Sequence, residues 1–309
     1  MKETESMSTY KKICNKILKK YHMILILMLP GCSSMYNYHA SQSATRIEQA
    51  SCHNKKLPKD LLYNNKPIPD ACMKRLTADL FQFKWPHEID LDTFIPQQDN
   101  AGRGMHQWEY IGTLPHGSHL IYAYLSPQDG TRKSSSIHII SRIGNILKVA
   151  DHNIIGYDAG PTMILEKSST LRKNTLTYCQ VMADFLLYYL IIEQYPELEK
   201  ELQNKQLKGL SCGSPSYIGY GTLEVTITAQ DEFKNKRLIS FTPAVDDDFD
   251  AQNWLKNTPK ASLGLKDAIR GVIGVYASQH AHKPLTMEQL KEIMLEAITY
   301  IAEKEKEEE

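Results

Sequence analysis

Between Gln107 and Val181 the apolar residues fall in short runs that alternate with polar positions. The runs are WEYIGTL (108–114), HLIYAYL (119–125), SIHIISR (136–142), ILKVAD (146–151), TMILEK (162–167) and LTYCQV (176–181). Glycine, proline or polar residues break them at 115–117, 127–130, 144–145, 156–161 and 168–174. Strand-length runs joined by short turns predict an antiparallel β meander, with Arg142-Ile143-Gly144-Asn145 as a tight hairpin. The pattern then becomes continuous. FLLYYLII inside Val181 to Tyr195 is too apolar for a surface helix and too short to span a bilayer, so a helix packed on one face of the meander is expected. Pro196 ends or restarts it, and ELEKELQNKQ continues in a charged helical register towards Gly209. Thr222 to Gln230 and Arg237 to Thr242 alternate as half-buried strands. Leu263 to Gln279 and Thr286 to Glu303 return to helical spacing, the second opened by Thr286 as N-cap with Gln289 three residues later.

The expected fold is therefore α+β: an antiparallel β meander packed by an apolar helix, with a helical C-terminal region. The core falls at 107–245 and the C-terminal helices at 246–309. Ahead of them, 52–106 carries Pro58, Pro67, Pro69, Pro86 and Pro96 and one short helix candidate from Ala71 to Phe81, so loop-rich structure is expected. Residues 33–51 are polar with no sustained apolar period and read as a tether, which makes 32–51 a linker. No internal repeat stands out.

The first thirty-two residues read as an address. Lys16, Lys19 and Lys20 precede an uncharged apolar run from Met23 to Leu29, closed by Pro30, Gly31 and Cys32. A cationic flank, an apolar run and a small residue before the break form an export signal covering 1–31. The run is about a third of the roughly 20 residues a spanning helix needs. Leu29-Pro30-Gly31-Cys32 resembles the lipobox of bacterial lipoproteins. That resemblance implies a diacylglyceryl group on the Cys32 thiol and cleavage between Gly31 and Cys32. Ser33 resembles the residue that follows the lipidated cysteine in lipoproteins sent to the outer membrane, implying a periplasm-facing site in the bacterial envelope. Pro30 departs from the small unconstrained residue usual at its position, and Met7 and Met23 are alternative starts.

Cleavage there leaves 278 residues. Removing six lysines and two glutamates from 36 basic and 36 acidic residues leaves 30 and 34. A mildly acidic chain with no basic patch argues against nucleic acid as a partner. Cys52, Cys72, Cys179 and Cys212 remain once Cys14 and Cys32 are set aside, and four cysteines allow three pairings. The least entangled joins Cys52 to Cys72 and Cys179 to Cys212. Four buried unpaired thiols are the alternative.

Candidate chemistry is sparse. Gly209-Leu210-Ser211-Cys212-Gly213 satisfies G-x-S-x-G, but a nucleophile elbow runs from strand to helix, and here a helical pattern precedes the serine. A helix stop is the plainer reading, with an exported serine hydrolase using Ser211 as the alternative. His116 with His119, and His280 with His282, lack the glutamate of a metalloprotease arrangement. Asp246, Asp247, Asp248 and Asp250 suggest a calcium loop, but Ala251 stands where its glycine belongs and Asn257 where its glutamate belongs. No catalytic residue, metal or cofactor is assigned.

KPIPDAC (66–72), a glycine-punctuated meander with ILKVADHNIIGYDAG (146–160), LTY before an apolar helix, and GLSCG (209–213) resemble a group of uncharacterised exported gammaproteobacterial proteins. Those proteins often carry an arginine-cysteine and paired glycines where this chain has Tyr157, Asp158 and Ala159. The resemblance implies no activity. The sequence thus leads to a non-catalytic binding or scaffolding component, held to the membrane through Cys32 and meeting an envelope protein partner. A secretion-system effector with the acidic tail Glu303 to Glu309 is a further alternative.

Overall fold

The computed structural model describes residues 56–77, 88–94, 105–126, 133–150, 153–157, 163–204, 217–244, 250, 251, 253, 265–280 and 283–306. These contain twelve strands and five α-helices, an α+β architecture whose sheets pair antiparallel throughout.

The chain enters through a short 3-10 turn, Lys59–Leu61, and a two-residue-strand hairpin, β1 (Leu62–Tyr63) and β2 (Lys66–Pro67). Asn64 and Asn65 close that hairpin with both φ positive, which asparagine tolerates better than most residues. Helix α1 (Asp70–Thr77) and strand β3 (Glu88–Asp90) follow. The meander is next: β4 (Met105–Thr113), β5 (His119–Ser126), β6 (Ser134–Ile143), β7 (Ile146–Val149) and β8 (Ile154–Tyr157). They form a six-stranded sheet ordered β3-β7-β6-β5-β4. Strands β7 and β8 share one edge of β6, β7 pairing Ile140 to Ile143 and β8 pairing Ser134 to Ile137. The expected tight hairpin joins β6 to β7, with Ile143 opposite Ile146 and Gly144 at φ 62°, where a side chain would be strained.

The strands after this belong to a second sheet, which the sequence pattern does not separate from the first. It is ordered β12-β11-β10-β9, from β9 (Thr170–Arg172), β10 (Thr175–Ala183), β11 (Tyr217–Ile227) and β12 (Phe233–Pro243). TMILEK is not a named strand; Ile164 makes an isolated bridge to Gln180. Its backbone is pinned from both sides. Leu165 N donates to Cys179 O at 2.9 Å, while Ile164 N donates to Ser135 Oγ at 2.7 Å on β6. Both a sheet edge and a sheet face claim this segment, so it serves as the seam between the sheets.

The apolar helix α2 (Asp184–Gln194) starts later than its apolar run, because Val181 to Ala183 complete the ladder of β10 with β11. Pro196 restarts the helix as the first residue of α3 (Pro196–Asn204), where its missing N–H is not needed. The C-terminal region is helical: α4 (Leu265–His280) and α5 (Met287–Lys306). Thr286 and Gln289 form the expected reciprocal cap, Thr286 N donating to Gln289 Oε1 at 2.9 Å and Gln289 N to Thr286 Oγ1 at 3.3 Å. Among the described residues no helix is long and apolar enough to cross a membrane.

Two cores result, on opposite faces of the six-stranded sheet. Leu120, Tyr122, Ile137 and Ile139 face the main core, with Leu176, Tyr178, Leu223 and Phe241 of the second sheet and the buried sides of α2, α4 and α5. Ile121, Ile140, Leu147 and Val149 face a smaller core, covered by Leu61, Ile68, Met73 and Leu76 of the entry segment and α1. Strands β5 and β6 are thus buried on both sides, as their near-continuous burial from His119 to Ala123 and from Ser134 to Ile140 reflects.

Candidate functional site

One cluster of bonded polar side chains lies at the end of the six-stranded sheet where the β4–β5 turn and the β6–β7 hairpin meet the entering chain. Arg142, near the end of β6, organises it. Its Nε donates to Gly144 O at 2.7 Å, one terminal nitrogen to the carbonyls of Asp60 and Leu62, and the other to Asn145 Oδ1 at 3.2 Å. A planar guanidinium with five fixed donors can hold a turn and a neighbouring segment at once; lysine cannot reproduce that fork. Asn145 continues the brace through Nδ2 to Asp92 Oδ2 at 2.5 Å, and Tyr63 OH donates to Asp92 Oδ1 at 2.9 Å. That bond to a carboxylate raises the Tyr63 pKa.

On this frame the hairpin presents Ile143, 75% exposed, and Ile146, 41% exposed. The apolar side chains flank the turn while the polar side chains of Arg142 and Asn145 beneath them are bonded inward.

The β4–β5 turn carries the expected histidine pair, which the structure sends to different partners. His119 is buried; its Nδ1 lies 2.9 Å from Thr113 Oγ1 and its Nε2 3.3 Å from Asp60 Oδ2. Thr113 Oγ1 is also 2.6 Å from Tyr110 OH. His116 Nε2 lies 2.7 Å from Asp231 Oδ1, and Ser118 Oγ donates to Asp231 Oδ2 at 2.9 Å. Asp231 sits in the β11–β12 turn with φ 60° and ties that hairpin to this end of the first sheet.

Aspartate, histidine and an exposed hydroxyl in a row is an order of groups that hydrolases use. Here Thr113 Oγ1 is shared with Tyr110, and two of the turn's N–H groups are already used, Leu114 N donating to Ser118 O and Gly117 N to Leu114 O. Among the described residues no three His, Cys, Asp or Glu side chains are grouped to hold a metal.

A second polar cluster lies under α1. Thr77 Oγ1 donates to Met73 O at 2.8 Å, so towards His106 Nε2, 3.0 Å away, it can only accept. His106 therefore carries its proton on Nε2. Its Nδ1 is buried with no hydrogen-bond partner among the described residues. Burial first, and the Lys74 charge second, push its pKa down to about 4, with Asp70 opposing. His138 Nε2 lies 2.7 Å from Ser136 Oγ, and burial, then His106, push its pKa down to about 3. Both imidazoles are neutral near pH 7. Trp108 Nε1 donates to Asp70 Oδ1 at 2.9 Å and closes the cluster from β4.

Cys72 on α1 and Cys179 on β10 are buried free thiols whose pKa values burial raises. Cys179 Sγ is 3.6 Å from Thr222 Oγ1. Their expected partners Cys52 and Cys212 lie outside the described residues, as do Gly31, Cys32, Ser211, Asp246 to Asp248 and His282. Arg142, Asp231, Asp60 and His106 were not legible as site residues. Their partners stand 29 to 115 positions away in sequence, and no local spacing encodes such pairs. Comparison of the chain with protein-family models, with curated proteins and with solved structures finds no match.

Proposed function

We propose that the protein is a lipid-anchored component of the bacterial envelope that acts by binding, without catalysis, through the end of the six-stranded sheet. The anchor is the Leu29-Pro30-Gly31-Cys32 segment. The binding reading rests on one observation: Ile143 stands largely in water on a hairpin whose arginine is bonded into two chain segments. An exposed apolar side chain costs solubility, and a turn braced to this degree has little conformational freedom left to lose on contact. The nearby hydroxyls and carboxylates bond to one another, which favours a rigid platform over a reactive centre.

Cell fractionation of the wild type and Cys32→Ala tests the reading. Wild type is expected in the envelope fraction and released by detergent, with the variant lost from the mature envelope pool. Wild type found soluble in the cytosol overturns it.

A further inference from the structure

We propose that helix α1 is an acid-released cover over the second face of the six-stranded sheet, with the two imidazoles beneath it, His106 on β4 and His138 on β6, as its trigger. The strand register places both rings on that face. Trp108 and Ser136 both stand opposite Ala123, and Tyr110 and His138 opposite Ile121, so residues 106, 108 and 110 of β4 and 136, 138 and 140 of β6 share a side with Ile121. There α1 packs through Met73 and Leu76 and meets His106 Nε2 through Thr77 Oγ1 at 3.0 Å. A helix of eight residues keeps its shape mainly by what it packs on. What holds this one therefore includes a titratable ring.

The geometry leaves a second proton no acceptor. Thr77 Oγ1 already donates to Met73 O, so His106 donates to it from Nε2, and the remaining ring nitrogen, Nδ1, is buried with no hydrogen-bond partner among the described residues. A cationic ring there would bury both a charge and an unbonded N–H. His138 is fully buried with Nε2 2.7 Å from the neutral Ser136 hydroxyl, and a charge on His106 would oppose one on His138. From α1, Lys74 opposes a proton on His106, and Asp70 favours one but accepts from Trp108 Nε1 at 2.9 Å. Cys72 on α1 is a neutral thiol, and β3 and β7 turn Ile89, Leu147 and Val149 to this face. At its far end His119 lies 3.3 Å from the Asp60 carboxylate and is not part of the trigger. Lifting α1 lets both rings reach water and take their protons, and it opens the second core. The carbonyls of Asp60 and Leu62 stay bonded to Arg142, an attachment that involves no histidine, so the helix leaves on a tether and can return.

The two buried free thiols report on the two cores, Cys72 from α1 and Cys179 from β10. The full chain is treated between pH 7 and pH 4 with dithiodipyridine, which reacts with thiols even in acid. Each site's rate, read by peptide mass, is divided by its rate in the urea-unfolded chain at the same pH. With a pKa held at about 4 against the ordinary 6.5, His106 alone is expected to raise the Cys72 rate by about 20-fold between pH 7 and pH 5, and His138 adds to it. Cys179 should stay protected, and Cys72 should regain its protection on return to pH 7. His106→Gln, whose amide can still donate to Thr77, should remove its share of the rise. Should that variant leave Cys72 open at pH 7, His138→Gln takes its place, and the reversal in the wild type needs neither. Rates at Cys72 and Cys179 that climb together, a Cys72 rate that stays flat, or an undiminished rise in both variants overturns the cover.

Discussion

The two faces of the six-stranded sheet are built from the same strands and packed by different means. On the main-core face β5 and β6 offer Leu120, Tyr122, Ile137 and Ile139. Their polar atoms there, Tyr122 OH and Ser135 Oγ, are used on the backbone of Ile164 at 3.3 and 2.7 Å. On the other face the same strands offer Ile121 and Ile140 together with His119 and His138, under a cover of one short helix and loops. The first face is sealed by a second sheet and four helices. The second holds three histidines that must stay in place without much core around them. Among the described residues the buried imidazoles thus lie on the second face alone.

The strongest way to break the molecule lies on the main-core side. Gly219 has φ 148°, and a Cβ there would stand 2.3 Å from Thr242 O, so Gly219→Ala forces β11 and β12 apart. A loss above about 4 kcal/mol is expected, read as collapse of the cooperative transition in a denaturant titration.

Acid is expected to act next, on the histidine face. Both imidazoles have folded pKa values below the ordinary 6.5, so their full contribution is present above that value. It falls as pH drops from 6.5 towards about 4 for His106 and about 3 for His138, because the unfolded chain takes up protons that the folded chain refuses. For His106 the loss is on the order of 3 kcal/mol at about 1.4 kcal/mol per pH unit. Hydrogen exchange across that range should release residues 56–77 before α2, and His106→Gln with His138→Gln should flatten the profile. Simultaneous release of both regions contradicts the comparison.

A smaller effect sharpens it. Ile139 and Ile140 are neighbours on β6 that face opposite cores. Valine at either should cost about 0.5–1.5 kcal/mol, but only Ile140→Val should raise exchange in α1. Smallest is Tyr178→Phe. The buried hydroxyl has no hydrogen-bond partner among the described residues, so removing it should leave stability unchanged or raise it by about 1 kcal/mol in thermal unfolding.

The sequence made some of this legible where the signal was local. The Arg142 to Asn145 hairpin, the Thr286 cap and the restart at Pro196 each depend on residues within one turn of each other. What it did not carry was the division into two sheets, because β10 reads like one more meander strand. Its separation is made by Ile164, whose backbone bonds to Ser135 and is bridged to Gln180. Val181 to Ala183 looked helical because an apolar run has no period when a strand is buried on both sides. The histidine pair 116 and 119 was visible, but its split between Asp231 and Asp60 follows from tertiary placement alone.

The central proposal, that the protein is held to the envelope through a lipid on Cys32, is tested most directly by the intact mass and N-terminal peptide of the mature protein. Expected are a chain beginning at Cys32 with its mass raised by acyl groups, and an unacylated product from Cys32→Ala. A wild-type chain that keeps residues 1–31, or that begins elsewhere without acyl mass, would contradict it.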